Sequence, residues 1–394
     1  MRFDAQAKGI KERYFLMKSL HARFLSLGLA VAMLLGVTGC TVSTPSSVGS
    51  IGGVEIPAGI YLLAQYNAYQ TVSGLADLAT GETADDVKAV LKAQCTGTIG
   101  DEEVTTDGAD YLERLTLRNL QYYAAVEAKF DELGATLDDA ATAEAADTAA
   151  SEWESDGDVY TANGISQATL EQYELNSAKA DACLELIYGE NGQTPVTDEE
   201  YIDFLYNDCR YVDVVQLPLF DSASYAFADE DQNAQIQALA QECADTLNGW
   251  ASAESGRTER FTSMYEAADQ YVAQAMEVLG ATPESGMGAY YVGSQLLTPE
   301  TLKSYGTTLT DALDAAGKGV WTTVDLGMSI GVMCDVDPLE ADTLQNYKDT
   351  YDLLSLLKGD ELQDQFYADG AAMEQNLDTS AMKTYKASNI KTTA

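Results

Sequence analysis

Strand-like patterning fills only the middle of this 394-residue chain, and helical periodicity lies on both sides of it. Before the middle, Val54-Glu55-Ile56-Pro57 leads into a helix with Leu62, Tyr66 and Tyr69 on one face. A second helix is expected over 83–94. A third, over 109–133, carries Leu115, Tyr122, Val126, Phe130 and Leu133 at helical spacing. Residues 134–158 are Ala-rich and acidic, which fits either a low-complexity helix or a loop. A further helix follows Gly164-Ile165-Ser166, buries Leu170, Tyr173, Leu184 and Ile187, and ends at Gly189. The pattern changes at Pro195. Thr197 caps a helix with Asp198, Glu199 and Glu200 in its first turn, where acids suit the helix dipole. Tyr211-Val212-Asp213-Val214-Val215-Gln216-Leu217 then reads as a strand. Helices over 229–249 and 258–279, a strand at 289–292, a helix over 302–316 and a hairpin of 320–324 with 328–333 complete the middle. Helices return at the end, with Leu344, Tyr347, Tyr351, Leu354 and Leu357 on one face. The fold class is α+β. An α+β module at 196–335 interrupts helical stretches at 57–195 and 336–394, which pack as one discontinuous domain.

The N-terminal segment has a different character. Scattered Lys and Arg precede an apolar run of about 14 residues, shorter than the roughly 20 that a spanning helix needs. Val37-Thr38-Gly39-Cys40 closes it. A basic start, a short apolar core and small residues before a cleavage point make an export signal, and the terminal Gly-Cys resembles a bacterial lipobox. The resemblance implies a signal peptide at 1–39, lipid on Cys40, a membrane anchor, and a location on the outer face of the cytoplasmic membrane. Residues 40–56, rich in Gly, Ser and Pro, read as the lipidated Cys and a flexible tether.

Charge narrows the partners. Residues 1–39 hold six of the 22 basic and two of the 63 acidic residues, which leaves 16 and 61 beyond them and a net charge near −45. Such a surface repels nucleic acid and anionic headgroups. It serves solubility alone, or it keeps a protein soluble while sticky surface is offered to clients. Five cysteines follow Cys40: Cys95, Cys183, Cys209, Cys243 and Cys334. They form no CxxC pair, and their odd number leaves at least one without an intrachain partner. No metal or cofactor motif is present. Asp107-Gly108 and Asp156-Gly157 lack the terminal Glu of a calcium loop. The Gly327-Met328-Ser329-Ile330-Gly331 segment fits GxSxG, but His21 is the chain's only histidine, so no Ser-His-Asp triad forms beyond the signal.

Several segments carry a family resemblance: the opening Val54-Glu55-Ile56-Pro57-Ala58-Gly59-Ile60-Tyr61; Gly164-Ile165-Ser166 with its helix ending Ile187-Tyr188-Gly189; the join from Val196-Thr197-Asp198 through Arg210-Tyr211-Val212-Asp213; and Leu353-Leu354-Ser355-Leu356-Leu357 near the end. The layout resembles PrsA-like foldase lipoproteins and SurA-type chaperones. The resemblance implies a SurA-N-like helical chaperone domain with an inserted parvulin-like prolyl isomerase domain. It also implies partners among unfolded exported polypeptides. Parvulin active sites carry two histidines on adjacent central strands. The resemblance puts Asp213 and Ser329 at those positions, so a degenerate site with little or no isomerase activity is expected. An active isomerase of the same fold and a solute-binding lipoprotein are the alternatives; the second needs two lobes built from parallel βαβ units. Tyrosine, with 23 residues against nine Phe, suits both a core and a groove for varied clients, because its ring is apolar and its hydroxyl can stay wet.

Overall fold

A computed structural model describes residues 45–221, 224–250, 256–283 and 286–393. The signal and Cys40 lie outside these residues. The described chain opens with a hairpin, β1 (Ser47–Ile51) and β2 (Val54–Pro57). Gly52 and Gly53 turn it at φ +58° and +85°, angles that cost a residue without Cβ little. Val48 and Ile51 are fully buried. The stretch expected as a tether is therefore sheet from Ser47 onward, because two apolar side chains anchor it.

Helix α1 (Ala58–Leu75) follows. β3 (Ala76–Asp77), β4 (Gln94–Ile99) and β5 (Glu102–Asp107) form a small antiparallel sheet. Of the helix expected over 83–94, one turn forms at Val87–Val90, capped by Asp86, and turn and loop residues lead from it into β4. Next come α2 (Gly108–Glu132), α3 (Asp139–Ala162), α4 (Gln167–Tyr188) and α5 (Asp198–Asn207). Each begins at an Asp, Ser or Thr whose side chain accepts a backbone N–H: Asp107, Asp138, Ser166 and Thr197. At Thr197 the Glu200 carboxylate bonds back to complete a capping box. The Ala-rich segment is the helix α3. Ala145 and Ala149 give it a thin apolar stripe, and the latter packs with Leu63, Ile165 and Leu170.

The middle holds β6 (Arg210–Pro218), the short pair β7 (Phe220–Asp221) and β8 (Ala226–Phe227), α6 (Glu230–Trp250) and α7 (Arg257–Val278). β9 (Val292–Leu297), α8 (Pro299–Tyr305), α9 (Thr307–Ala316), β10 (Trp321–Asp325) and β11 (Ser329–Val336) follow. The strand expected at 289–292 starts at its far end, and the helix expected over 302–316 breaks at Gly306, where φ is +65°. The four long strands form one antiparallel sheet in the order β10-β11-β6-β9. Both faces are covered. Val215, Leu217, Ile330 and Val332 pack under α6 and α7, while Val212, Val214, Val324 and Met333 pack against Leu309 and Leu313 of α9. This explains the nearly continuous apolar run of β6, since strands buried on both sides do not alternate.

The chain then returns through α10 (Leu344–Tyr351) and α11 (Leu353–Ala372), separated at Asp352 by a left-handed φ of +49°. α11 lies against α2. A Cβ on Gly370 would sit 2.2 Å from the Gln121 carbonyl oxygen, so the two helices approach as only glycine permits. Phe366 shares a core with Phe130, Cys183 and Leu184. β12 (Gln375–Leu377) completes the first sheet beside β1. Leu296 of β9 and Tyr347 belong to the same apolar cluster as Phe366, so the sheet module and the helices share packed side chains. No described helix is long and apolar enough to cross a membrane.

Candidate functional site

Asp213 and Ser329 do lie on adjacent central strands, β6 and β11. They do not meet. Asp213 pairs with Cys334, and Ser329 pairs with Pro218, five residues or about 16 Å along the strand. Their side chains also point to opposite faces. Asp213 faces α7, whereas Ser329 shares the parity of Met333, which packs on the α9 side.

Instead, Asp213 is the centre of a polar row. Ser294 on β9 and Cys334 on β11 are its cross-strand neighbours. Ser294 donates its hydroxyl to the Asp213 carboxylate at 2.5 Å. From above, α7 brings down Arg257 and Arg260, one helical turn apart. Arg257 donates to the carboxylate and, at 3.0 Å, to the Ser294 oxygen. Arg260 lies 3.8 Å from the same carboxylate and donates to the Cys334 sulfur at 2.9 Å. Burial works against the Arg257 charge, but the Asp213 carboxylate outweighs it and raises the guanidinium above its ordinary value. Burial pushes the Cys334 thiol up to about 11, so it stays protonated. Asp213 has no exposed surface and Arg260 keeps 5%. A carboxylate enclosed on every side cannot touch a substrate, and this row therefore holds α7 to the sheet. Arg257, Arg260 and Ser294 escaped the sequence reading. The signal was Asp213 itself: an acid inside an apolar strand needs a cation nearby.

The open surface lies in the helical layer. α2, α4 and α11 frame a groove made of two cavities that share Tyr122 and Gln363. One, of about 300 Å³, is lined by Tyr122, Tyr123, Tyr173, Tyr367, Asn119 and Asn176. The other, of about 360 Å³, continues past Leu184, Leu356 and Phe366 to Asp181 and Asp360. Its walls are fixed. Asn176 donates to the Tyr123 carbonyl at 3.1 Å and to Glu127 at 2.9 Å, and Gln172 donates to the Tyr123 hydroxyl at 3.0 Å. Lys179 closes on Glu127 at 2.5 Å. Tyr122 stands edge-on to Phe366 with centroids 5.6 Å apart, and Arg118 lies 3.6 Å above the Tyr367 ring. Tyr173, expected in the core, is 43% exposed at the rim, because α4 turns that position toward the groove. Burial pushes the Tyr122 and Tyr123 hydroxyls up to about 12, so both remain neutral donors. Burial, and then neighbouring acids, raise Asp181 above the ordinary carboxylate range, and do the same to Glu174 and Glu185 in the adjoining cavity between α3 and α4. The groove thus offers aromatic faces, amides and hydroxyls, with acids at its ends.

Among the described residues the five thiols of Cys95, Cys183, Cys209, Cys243 and Cys334 are all free and all buried. Burial pushes Cys209 and Cys243 up to about 12, which makes them poor nucleophiles. They pack as small apolar side chains.

No family model matches the chain, and no curated protein matches it. A solved structure that does match is the foldase protein PrsA from Streptococcus pneumoniae. It is 12% identical, has a TM-score of 0.34, and the match covers 74% of this chain and 98% of that one. So loose a superposition carries no conclusion about fold or activity, and the groove stands on its own geometry.

Proposed function

We propose that this chain is a chaperone of the PrsA and SurA kind, anchored by lipid on Cys40 outside the cytoplasm, that holds unfolded exported polypeptides. Its helical domain is discontinuous, over 57–195 and 336–394, with a parvulin-like module at 196–335 that lacks isomerase activity. The observation that carries the reading is the groove of Tyr122, Tyr173 and Tyr367 with Asn119 and Gln363. Rings that accept any apolar side chain sit beside amides that can bond any backbone, which suits clients without a common sequence. The sealed Asp213 row supports the loss of isomerase chemistry. A solute-binding reading needs parallel βαβ units, and every described strand pair is antiparallel.

The test is suppression of aggregation of a denatured protein by residues 41–394 at equimolar ratio. Suppression is expected; aggregation as fast as in buffer sinks the proposal. In a proline-limited refolding assay the slow phase, tens of seconds or more at 25 °C, should stay unchanged. Acceleration would favour the active isomerase.

A further inference from the structure

The four most exposed large apolar residues of the described chain are Tyr290 at 86%, Tyr225 at 84%, Phe227 at 61% and Met328 at 58%. They come from three separate segments of the sequence but gather at one end of the four-stranded sheet. Pro218, the last residue of β6, pairs with Ser329, which follows Met328. Tyr225 and Phe227 belong to the β7–β8 hairpin that continues β6, and both rings pack against Phe220, Tyr225 edge-on at 6.3 Å between centroids and Phe227 tilted at 4.9 Å. Tyr290 precedes β9, whose first residue pairs with Val215 at the same end of β6. Core packing does not explain such exposure, and exposed apolar surface collected in one place marks a contact site.

Two further features say what fits there. β9 is an edge strand: it pairs with β6 and with no other described strand. Beside it lies a cavity of about 170 Å³ lined by Tyr290, Tyr291, Gln216 and residues 292–295. That is well below the roughly 300 Å³ at which small-molecule sites begin, but it has room for a single side chain next to an open strand edge. The segments around the cavity are acidic in sequence, and Arg257, which reaches Ser294 on the cavity wall, is already paired with Asp213. Residues 218–231, 286–295 and 325–330 contain Asp221, Asp229, Glu230, Asp231 and Asp325, and no Lys or Arg. A second copy of this chain, itself carrying −41, is a poor occupant.

We infer that this end of the sheet docks an extended polypeptide segment with apolar side chains and basic flanks, which adds to the β9 edge as a fifth strand. Main-chain bonds along β9 give affinity without sequence, the cavity takes one side chain, the aromatic residues cover its neighbours, and the acids favour Lys or Arg on either side. The inference rests on the chaperone reading above and gives the clients a chemistry.

The experiment uses residues 41–394 and a fluorescein-labelled peptide of alternating Leu and Thr flanked by Lys. Three comparison probes are the same core flanked by Glu, the Lys peptide N-methylated at alternate amides, and the Lys peptide in high salt. All three should bind weaker. The variant Tyr225→Ser/Phe227→Ser/Tyr290→Ser should keep its melting temperature and lose about tenfold in affinity, the scale of losing aromatic anchors from an interface. Equal binding of the Lys and Glu peptides, full binding of the N-methylated peptide, or an unaffected triple variant overturns the inference. So does a dimer of the protein that the triple substitution dissolves. If the parent protein fails to suppress aggregation, the chaperone reading falls; if it succeeds and the triple variant does equally well, only this inference falls.

Discussion

The helical groove and the sheet module use polar side chains in opposite ways. In the groove, Tyr122, Tyr367 and Tyr173 keep part of their surface in solvent, and Asn119 and Gln363 line an open cavity. In the sheet, the Asp213 carboxylate is wholly enclosed and spent on Ser294 and Arg257, with Arg260 beside it, although the buried Arg260 Nε keeps no partner. Polar groups left half-wet between rings remain free to bond a ligand, while polar groups enclosed together can only hold their own elements in place. Capacity to bind therefore sits where polar groups stay open to solvent, and the row around the enclosed Asp213 contributes rigidity.

Four measurements break or sharpen this contrast. The largest effect belongs to Asp213→Ala, which strands the buried Arg260 guanidinium and the half-buried Arg257; about 3–5 kcal/mol should be lost in urea unfolding. A loss below about 1 kcal/mol would mean that solvent reaches the row and that it is not sealed. Next comes Gly370→Val. Its Cβ collides with the Gln121 carbonyl, so α11 must lift from α2. About 1–3 kcal/mol should go, and aggregation suppression with it, because the groove changes shape. Unaltered suppression would show that the groove is not the holding surface.

Third, Tyr173→Ser with Tyr367→Ser should weaken client holding about tenfold. Stability should fall by no more than about 1–2 kcal/mol, chiefly through the lost Arg118 contact over Tyr367. A large stability loss with normal holding would recast these rings as core. The smallest effect is a pH dependence. A raised carboxyl pKa contributes stability that is complete below the unfolded value, 3.8 for Asp181, and is lost as pH rises through the folded one. At pH 7 Asp181 is therefore charged at a cost. Asp181→Asn should stabilise the protein slightly at pH 7, by less than about 1 kcal/mol in a groove open to solvent, read as a small rise in melting temperature, and the gain should vanish near pH 4. The Tyr122 and Tyr123 hydroxyls have the same sign at the other extreme: their contribution is present below their ordinary value of 10.0 and is lost as pH rises toward 12. A melting curve flat from pH 10 to 12 would remove them from the buried wall.

Helix starts were legible because they are local chemistry: Ser166, Thr197 and the acids after it cap the helices as read. The β10–β11 hairpin was legible too, from two apolar runs around Gly327. The β4–β5 hairpin was not, although Gly100-Asp101 supplies its two-residue turn and the Thr-rich flanks favour strand; helix-forming residues at 87–92 drew the reading the other way. Asp213 was singled out for the right strand. Its partners were not found, since nothing local relates Arg257 on a helix to Ser294 on a strand.

By itself the sequence determined the order of the long helices and of the β6 and β10–β11 strands, the helix starts at Ser166 and Thr197, the acidic coat and a body without histidine, because each depends on residue type or on neighbours a few positions away. Tertiary structure alone decided that Tyr173 faces outward, that Asp213 and Ser329 point to opposite sides of one sheet, and that Tyr122 and Tyr367 share a wall. Those outcomes depend on which helix packs on which face, and close approaches such as Gly370 against Gln121 set that packing across some 250 residues of intervening chain.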